Sequence, residues 1–159
     1  MFKKICIIGC GLIGSSLARA IRKNNLAEKI VSSNRSETIN KKVMELMIVD
    51  SSSADTKKMV EGSDLIVIAT PLSSYEEIIL KIKDSLKNGA ILTDVGSVKE
   101  NIINLIEKNI PENVSWISSH PIAGTEDSGP ESGFSELFNN RWCILTPSKK
   151  IKEKDIDLL

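Results

Sequence analysis

The hexapeptide Gly9-Cys10-Gly11-Leu12-Ile13-Gly14 has the G-x-G-x-x-G spacing of a chain that turns tightly against a phosphate. The first glycine permits the turn and the second lets the backbone approach a pyrophosphate. The third lets a helix pack closely on a strand, and the amides that open this helix are free to bind phosphate oxygens. Spacing alone is weak evidence. It gains weight because the apolar run Lys4 to Ile8 precedes it and Ile13, Leu17, Ala20 and Ile21 follow at helical intervals, so the glycines stand between a strand and a helix.

Further along, where such domains often carry an acidic residue for ribose hydroxyls, the chain reads Ser33-Asn34-Arg35-Ser36, with no carboxylate before Glu37. Asn34, Arg35 and Ser36 suit a 2′-phosphate, which favours NADP over NAD. The plainer alternative makes Arg35 a solvated charge and Ser36 a helix cap.

Three residues have the chemistry for a reaction beside that cofactor. His120, the only histidine, ends a predicted strand; an imidazole there can accept a proton from a substrate hydroxyl as hydride leaves. Ser97, in Asp94-Val95-Gly96-Ser97-Val98-Lys99, pairs with Glu100 as a capping box, and it also stands where nicotinamide and substrate would meet. Glu126, on the loop after His120, reads equally as a surface charge or a site residue.

The elements that must position these residues alternate. Strands are expected at Lys4 to Ile8, Ile30-Val31, Ile48-Val49, Leu65 to Ala69, Ala90 to Thr93, Val114 to Ser118 and Trp142 to Thr146. Helical periodicity is carried by Ile39, Val43, Leu46 and Met47, by Tyr75 to Leu86, and by Val98, Ile102, Leu105 and Ile106. Uninterrupted apolar strands such as Leu65 to Ile68 are what parallel strands covered on both faces require. The expected fold is therefore α/β: a doubly wound, mostly parallel sheet of the Rossmann type, with ligands beyond the carboxyl ends of its strands. From His120 to Gly133, glycine, proline and small polar residues predict a functional loop.

With 159 residues, 41% of them hydrophobic, the chain suits one domain, residues 1–159. Twenty-one basic residues balance 21 acidic ones without long runs, which argues against nucleic acid or a membrane surface and for a small-molecule substrate. Cys6, Cys10 and Cys143 lack metal-ligand spacing and read as buried fillers in a reducing, cytoplasmic setting, with no metal expected.

Taken together, GCGLIGSS from Gly9, DLIVIATP from Asp64, DVGSVK from Asp94 and HPIAGTEDSG from His120 resemble the prephenate/arogenate dehydrogenase family, in that family's order and over most of the chain. The last two segments are the specific ones. The resemblance implies oxidative decarboxylation of prephenate to 4-hydroxyphenylpyruvate, or of arogenate to tyrosine, with hydride passed to NAD(P). It implies that His120 bonds the ring hydroxyl, that Ser97 bonds the hydroxyl, the histidine or the nicotinamide, and that Glu126 is a polar group of the same site. Ala69, Thr70 and Pro71 would border the nicotinamide half. Family members continue into a helical domain that makes a homodimer and supplies an arginine for the substrate carboxylate; that domain is absent from this chain, so the chain alone should turn over weakly or not at all. Two other readings compete: an NADP-dependent dehydrogenase of the β-hydroxyacid or imine-reducing type, which should lack the HPIAGTE loop, and a non-catalytic dinucleotide-binding module.

Overall fold

The computed structural model describes residues 1–147 and 151–159, without the side chains of 100 and 101. Among these residues seven strands form one sheet in the order β3-β2-β1-β4-β5-β6-β7. They are β1 (Phe2–Ile8), β2 (Ala27–Ser33), β3 (Ser51–Ser53), β4 (Leu65–Ile68), β5 (Ile91–Asp94), β6 (Ser115–Pro121) and β7 (Cys143–Pro147). The first six are parallel, and β7 runs antiparallel to β6 at the edge. Among the described residues six α-helices accompany them: α1 (Leu12–Lys23), α2 (Glu37–Glu45), α3 (Thr56–Val60), α4 (Tyr75–Ile82), α5 (Glu100–Asn109) and α6 (Glu153–Leu158). This is the doubly wound Rossmann arrangement that the alternating pattern predicts.

The core has two halves because the sheet has two covered faces. Ile66, Ile68, Tyr75, Ile79, Leu92, Ile106 and Trp116 fill one; Ile5, Ile7, Ile21, Ile30, Val43, Val67 and Ile117 fill the other. All four residues of β4 are buried, and each such side chain contributes roughly 1.5–3 kcal/mol of transfer free energy. Among the described residues no helix is long and apolar enough to cross a membrane.

Several local expectations are corrected. The third strand is Ser51–Ser53, not Ile48-Val49; those two are 3% exposed and pack under α2 without joining the ladder. Pairing with β2 requires backbone register, and apolar character alone does not supply it. Met47 leaves the α2 face, taking φ +54 and standing 77% exposed just after the helix. Helix α4 ends at Ile82 in a 3-10 turn, before Leu86. Helix α5 begins only at Glu100, with Lys99 as its N-cap, so Val98 is outside it and 58% exposed and Ser97 does not cap it. The Glu100 side chain of the expected capping box lies outside the described residues. Helix α3 has no long periodic pattern and escapes a sequence reading; Asp55 caps it by accepting from the Lys58 amide at 3.3 Å. Strand β6 runs on through His120 and Pro121, because β7 pairs with both.

Burial raises the Cys6 thiol to about 12 and the Cys10 thiol to about 11, so both are inert neutral fillers. Cys143 departs from that expectation: it is exposed on the edge strand.

Candidate active site

At the carboxyl ends of β1, β2 and β4 lies a cleft of about 630 Å³ whose walls include Gly9, Gly11, Asn34, Arg35, Ser36, Ala69, Thr70 and Pro71. The glycines divide the work of forming it. Gly9 takes φ +93, and a Cβ there would stand 2.7 Å from Thr70 Cγ2 and 2.9 Å from the Ala69 carbonyl oxygen. At Gly14 a Cβ would meet the Gly9 carbonyl oxygen at 2.1 Å, so this glycine lets α1 sit on the loop. A Cβ at Gly11 would meet nothing within 4 Å. The protein itself needs Gly9 and Gly14, whereas Gly11 leaves room for something that is not protein. Gly11 is also the N-cap of α1, with no side-chain cap and no acidic residue in the first turn, so the amides of Leu12, Ile13 and Gly14 remain available to an anion. None of those three residues is itself a wall of the cleft.

Asn34 is placed in the wall, but its carboxamide is turned inward. Its Oδ1 accepts from the Cys10 amide at 2.6 Å, and its Nδ2 donates to Asn40 Oδ1 at 3.1 Å and to Ser52 Oγ at 3.3 Å. The bond to Cys10 ties the glycine loop to the end of β2. Asn40 cannot simply turn over, because its Nδ2 is spent on the Asn34 carbonyl at 3.0 Å. A carboxylate at 34 would therefore face the Asn40 oxygen. Asn34→Asp is expected to lower stability by about 1–3 kcal/mol, read by urea denaturation, without raising NADH affinity; equal stability together with tighter NADH would show that the position is open to an acid. Arg35 is exposed in the same wall, and Ser36 caps α2 through the Ile39 amide at 3.5 Å.

The reactive candidates stand elsewhere on the same edge. His120 is half-buried near the end of β6, paired with Ile144 on β7. Ser97 and Glu126 are exposed, Ser97 on the arc between β5 and α5 and Glu126 on the loop after β6. Among the described residues none of these three side chains makes a hydrogen bond. Ser97 and His120 are brought to adjacent strand ends; no contact holds Glu126 beside them.

What sequence reasoning missed is the group between them. Asp94 is 0% exposed and its carboxylate accepts from Lys99 Nζ at 2.8 and 2.7 Å, Ser118 Oγ and the Ser119 amide at 3.0 Å, the Gly96 amide at 2.9 Å and Tyr75 Oη at 3.2 Å. Burial and the adjoining Asp94 charge push the Tyr75 hydroxyl well above its ordinary range. A visible signal did exist: an aspartate closing an apolar strand must find buried partners, and Lys99 is close in sequence.

The loop after β6 was legible as irregular, but not its path. It crosses to α1 and α2: Gly133 packs so closely that a Cβ would lie 2.2 Å from Ser15 Oγ, and the Phe134 amide donates to Ser16 Oγ at 3.1 Å. Ion pairs Lys23–Glu136 at 2.5 Å and Lys42–Glu131 at 3.5 Å hold its far side, and Gly129 becomes a wall of the cleft. One segment thus connects His120 to the glycine loop. A second hollow, about 550 Å³ beneath the amino ends of β5 and β6, mixes Lys152 and Lys154 with Glu107, Glu112 and Asp155; it has no glycine loop and no preference for an anion.

Comparison with known proteins agrees with this geometry. The family description "Prephenate dehydrogenase, nucleotide-binding domain" matches residues 17–159. The chain belongs to the prephenate dehydrogenase family. It is 36% identical to the cyclohexadienyl dehydrogenase of Zymomonas mobilis over 92% of this chain and 50% of that protein, and 35% identical to the prephenate dehydrogenase of Lactococcus lactis over 95% and 43%. A crystal structure of prephenate dehydrogenase from A. aeolicus, in complex with hydroxyphenyl propionate and NAD+, superposes with TM-score 0.91 at 28% identity, over 99% of this chain and 55% of that one. The chain spans about half the length of these family members. The glycine motif of residues 9–14 precedes the segment that the family description matches, whereas Asn34, Arg35, Ala69, Thr70, Pro71 and Gly129 of the cleft lie within it.

Proposed function

We propose that this chain is the cofactor-binding half of a prephenate or arogenate dehydrogenase that uses NADP in preference to NAD. The observation that carries the reading is His120 at the carboxyl edge of β6, in the HPIAGTE segment, on a loop that returns to wall the glycine-lined cleft. The open space at Gly11, the uncapped amides of α1 and the exposed Arg35 fit a dinucleotide carrying a 2′-phosphate. Ala69, Thr70 and Pro71 extend the cleft from the glycine loop across the end of β4, the direction in which the nicotinamide half would lie.

A nicotinamide cofactor held there would supply the hydride acceptor for the carbon bearing the ring hydroxyl. His120 takes the hydroxyl proton as the C–H electrons depart. Ser97 donates a hydrogen bond to the same oxygen or to the imidazole, and Glu126 adds a polar group from the loop. The ring carboxylate then leaves as carbon dioxide, its bonding electrons restoring the aromatic ring and the ring oxygen taking back the proton that His120 holds. Ile122, Trp142 and Ile144 are 44%, 83% and 54% exposed and share the His120 face by the β6–β7 register, which provides an apolar surface for a ring. In this reading the other half of the protein is helical, forms the homodimer and supplies the cation for the substrate carboxylate, and the whole works in the cytoplasm. The 159-residue chain alone should then show negligible prephenate-dependent reduction of NADP; robust steady-state turnover by it would overturn the half-site reading.

Cofactor fluorescence tests the remainder. NADPH is expected to bind this chain more tightly than NADH, and Arg35→Ala to remove roughly 10- to 100-fold of NADPH affinity while leaving NADH unchanged, the worth of one charge-assisted phosphate contact. Equal loss for both cofactors would remove the 2′-phosphate role from Arg35.

A further inference from the structure

We propose that Asp94 and Lys99 act as a positioning pair that holds the Ser97 arc and the His120 strand end in one fixed relation, and that turnover depends on this relation. The inference rests on the dehydrogenase reading above. Neither residue is a wall of the cofactor cleft.

The geometry is that of a clamp on one residue, through the two peptide units that flank it. The Ser119 amide donates to Asp94 Oδ1 at 3.0 Å, while the Ser119 carbonyl oxygen accepts from Lys99 Nζ at 2.5 Å. Ser119 Oγ adds a short hydrogen bond to the Asp94 carbonyl oxygen and accepts from Thr93 Oγ1 at 3.1 Å. The residue that immediately precedes His120 is therefore held by amide, carbonyl and hydroxyl at once. The same two side chains anchor the Ser97 arc at both ends: the Gly96 amide donates to Asp94 Oδ2 at 2.9 Å, and Lys99 closes the arc on both carboxylate oxygens. Gly96 is boxed in, since a Cβ there would lie 2.6 Å from Leu72 Cδ2 and 2.9 Å from Asp94 Oδ2. Lys99 Nζ spends its three protons on Asp94 Oδ1, Asp94 Oδ2 and Ser119 O, leaving none for a ligand.

Stability does not explain why this place carries an ion pair. With Asp94 at 0% and the Lys99 side chain at 17% exposure, both ions have lost most of their water, and buried pairs of this kind are often replaceable by apolar groups at no cost in stability. What an apolar pair cannot do is hold an amide and a carbonyl of the same residue on opposite sides. Reactions that take a proton from a hydroxyl and a hydride from the carbon bearing it are sensitive to such placement, and a misplacement of about 1 Å costs on the order of 100-fold in rate.

The test compares Lys99→Met, Asp94→Asn and the double variant in the full-length protein, reading Tm, kcat, KM and NADPH affinity. Lys99→Met strands a buried carboxylate and should lower Tm; the double variant has no buried charge and should recover most of that loss. If the pair positions, kcat in the double variant stays down on the order of 100-fold with NADPH affinity within about twofold of wild type. Recovery of kcat together with Tm would reduce the pair to a structural role and overturn the proposal. Because His120 is the only histidine, its imidazole Cε1–H signal can be followed by NMR in the 159-residue chain, independently of activity. One sharp signal in wild type that shifts or broadens in the folded double variant supports the clamp; an unchanged signal overturns it. A wild-type protein inactive on prephenate and arogenate would sink the dehydrogenase reading instead, while the NMR comparison still decides the clamp.

Discussion

Replacing His120 by asparagine is expected to lower turnover of the full-length protein by roughly 10³-fold, within the 10²- to 10⁴-fold that a positioned general base contributes. The same variant should bind NADPH within about twofold of wild type, because His120 is not a wall of the cleft. Its side chain makes no hydrogen bond among the described residues, and it stands half-exposed at a strand end, so asparagine leaves no buried partner unsatisfied and Tm should scarcely move. Steady-state kinetics with a parallel cofactor titration would check this. A variant that keeps a tenth or more of the wild-type kcat would remove His120 from the chemistry and return the site to the competing readings, foremost a non-catalytic nucleotide-binding module.

The second large effect separates two glycines three residues apart. Gly14→Ala would place a methyl 2.1 Å from the Gly9 carbonyl oxygen, a backbone atom that cannot swing aside. Helix and loop must part, at about 3 kcal/mol, which for a domain of this size lowers Tm by about 10 °C. Gly11→Ala meets no protein atom and should melt within about 1 °C of wild type, yet its methyl stands where phosphates must approach, so NADPH affinity should fall roughly 10- to 100-fold. Thermal melts and fluorescence titrations on the 159-residue chain distinguish the two. If both variants melt alike, or if Gly11→Ala binds as wild type, the division of labour among the glycines is wrong.

The amino-acid sequence by itself determined the fold class, the glycine loop and the family resemblance. It could do so because these features are local or periodic: four buried apolar residues in β4 demand a sheet covered on both sides, G-x-G-x-x-G carries its turn within six positions, and HPIAGTE is contiguous. The errors fell where local pattern and long-range pairing disagree. Ile48-Val49 has the apolar character of a strand, but Ser51–Ser53 holds the register with β2; Ser97 has the spacing of a helix cap, but Asp94 and Lys99 hold its arc away from α5. Only the tertiary structure decided that the Asn34 carboxamide faces inward onto Cys10, and that the loop after His120 crosses to α1 so that Gly129 reaches the cleft. The partners of a buried carboxylate or a buried amide come from strands and helices distant in the chain, and no periodicity in the sequence records which of them will meet.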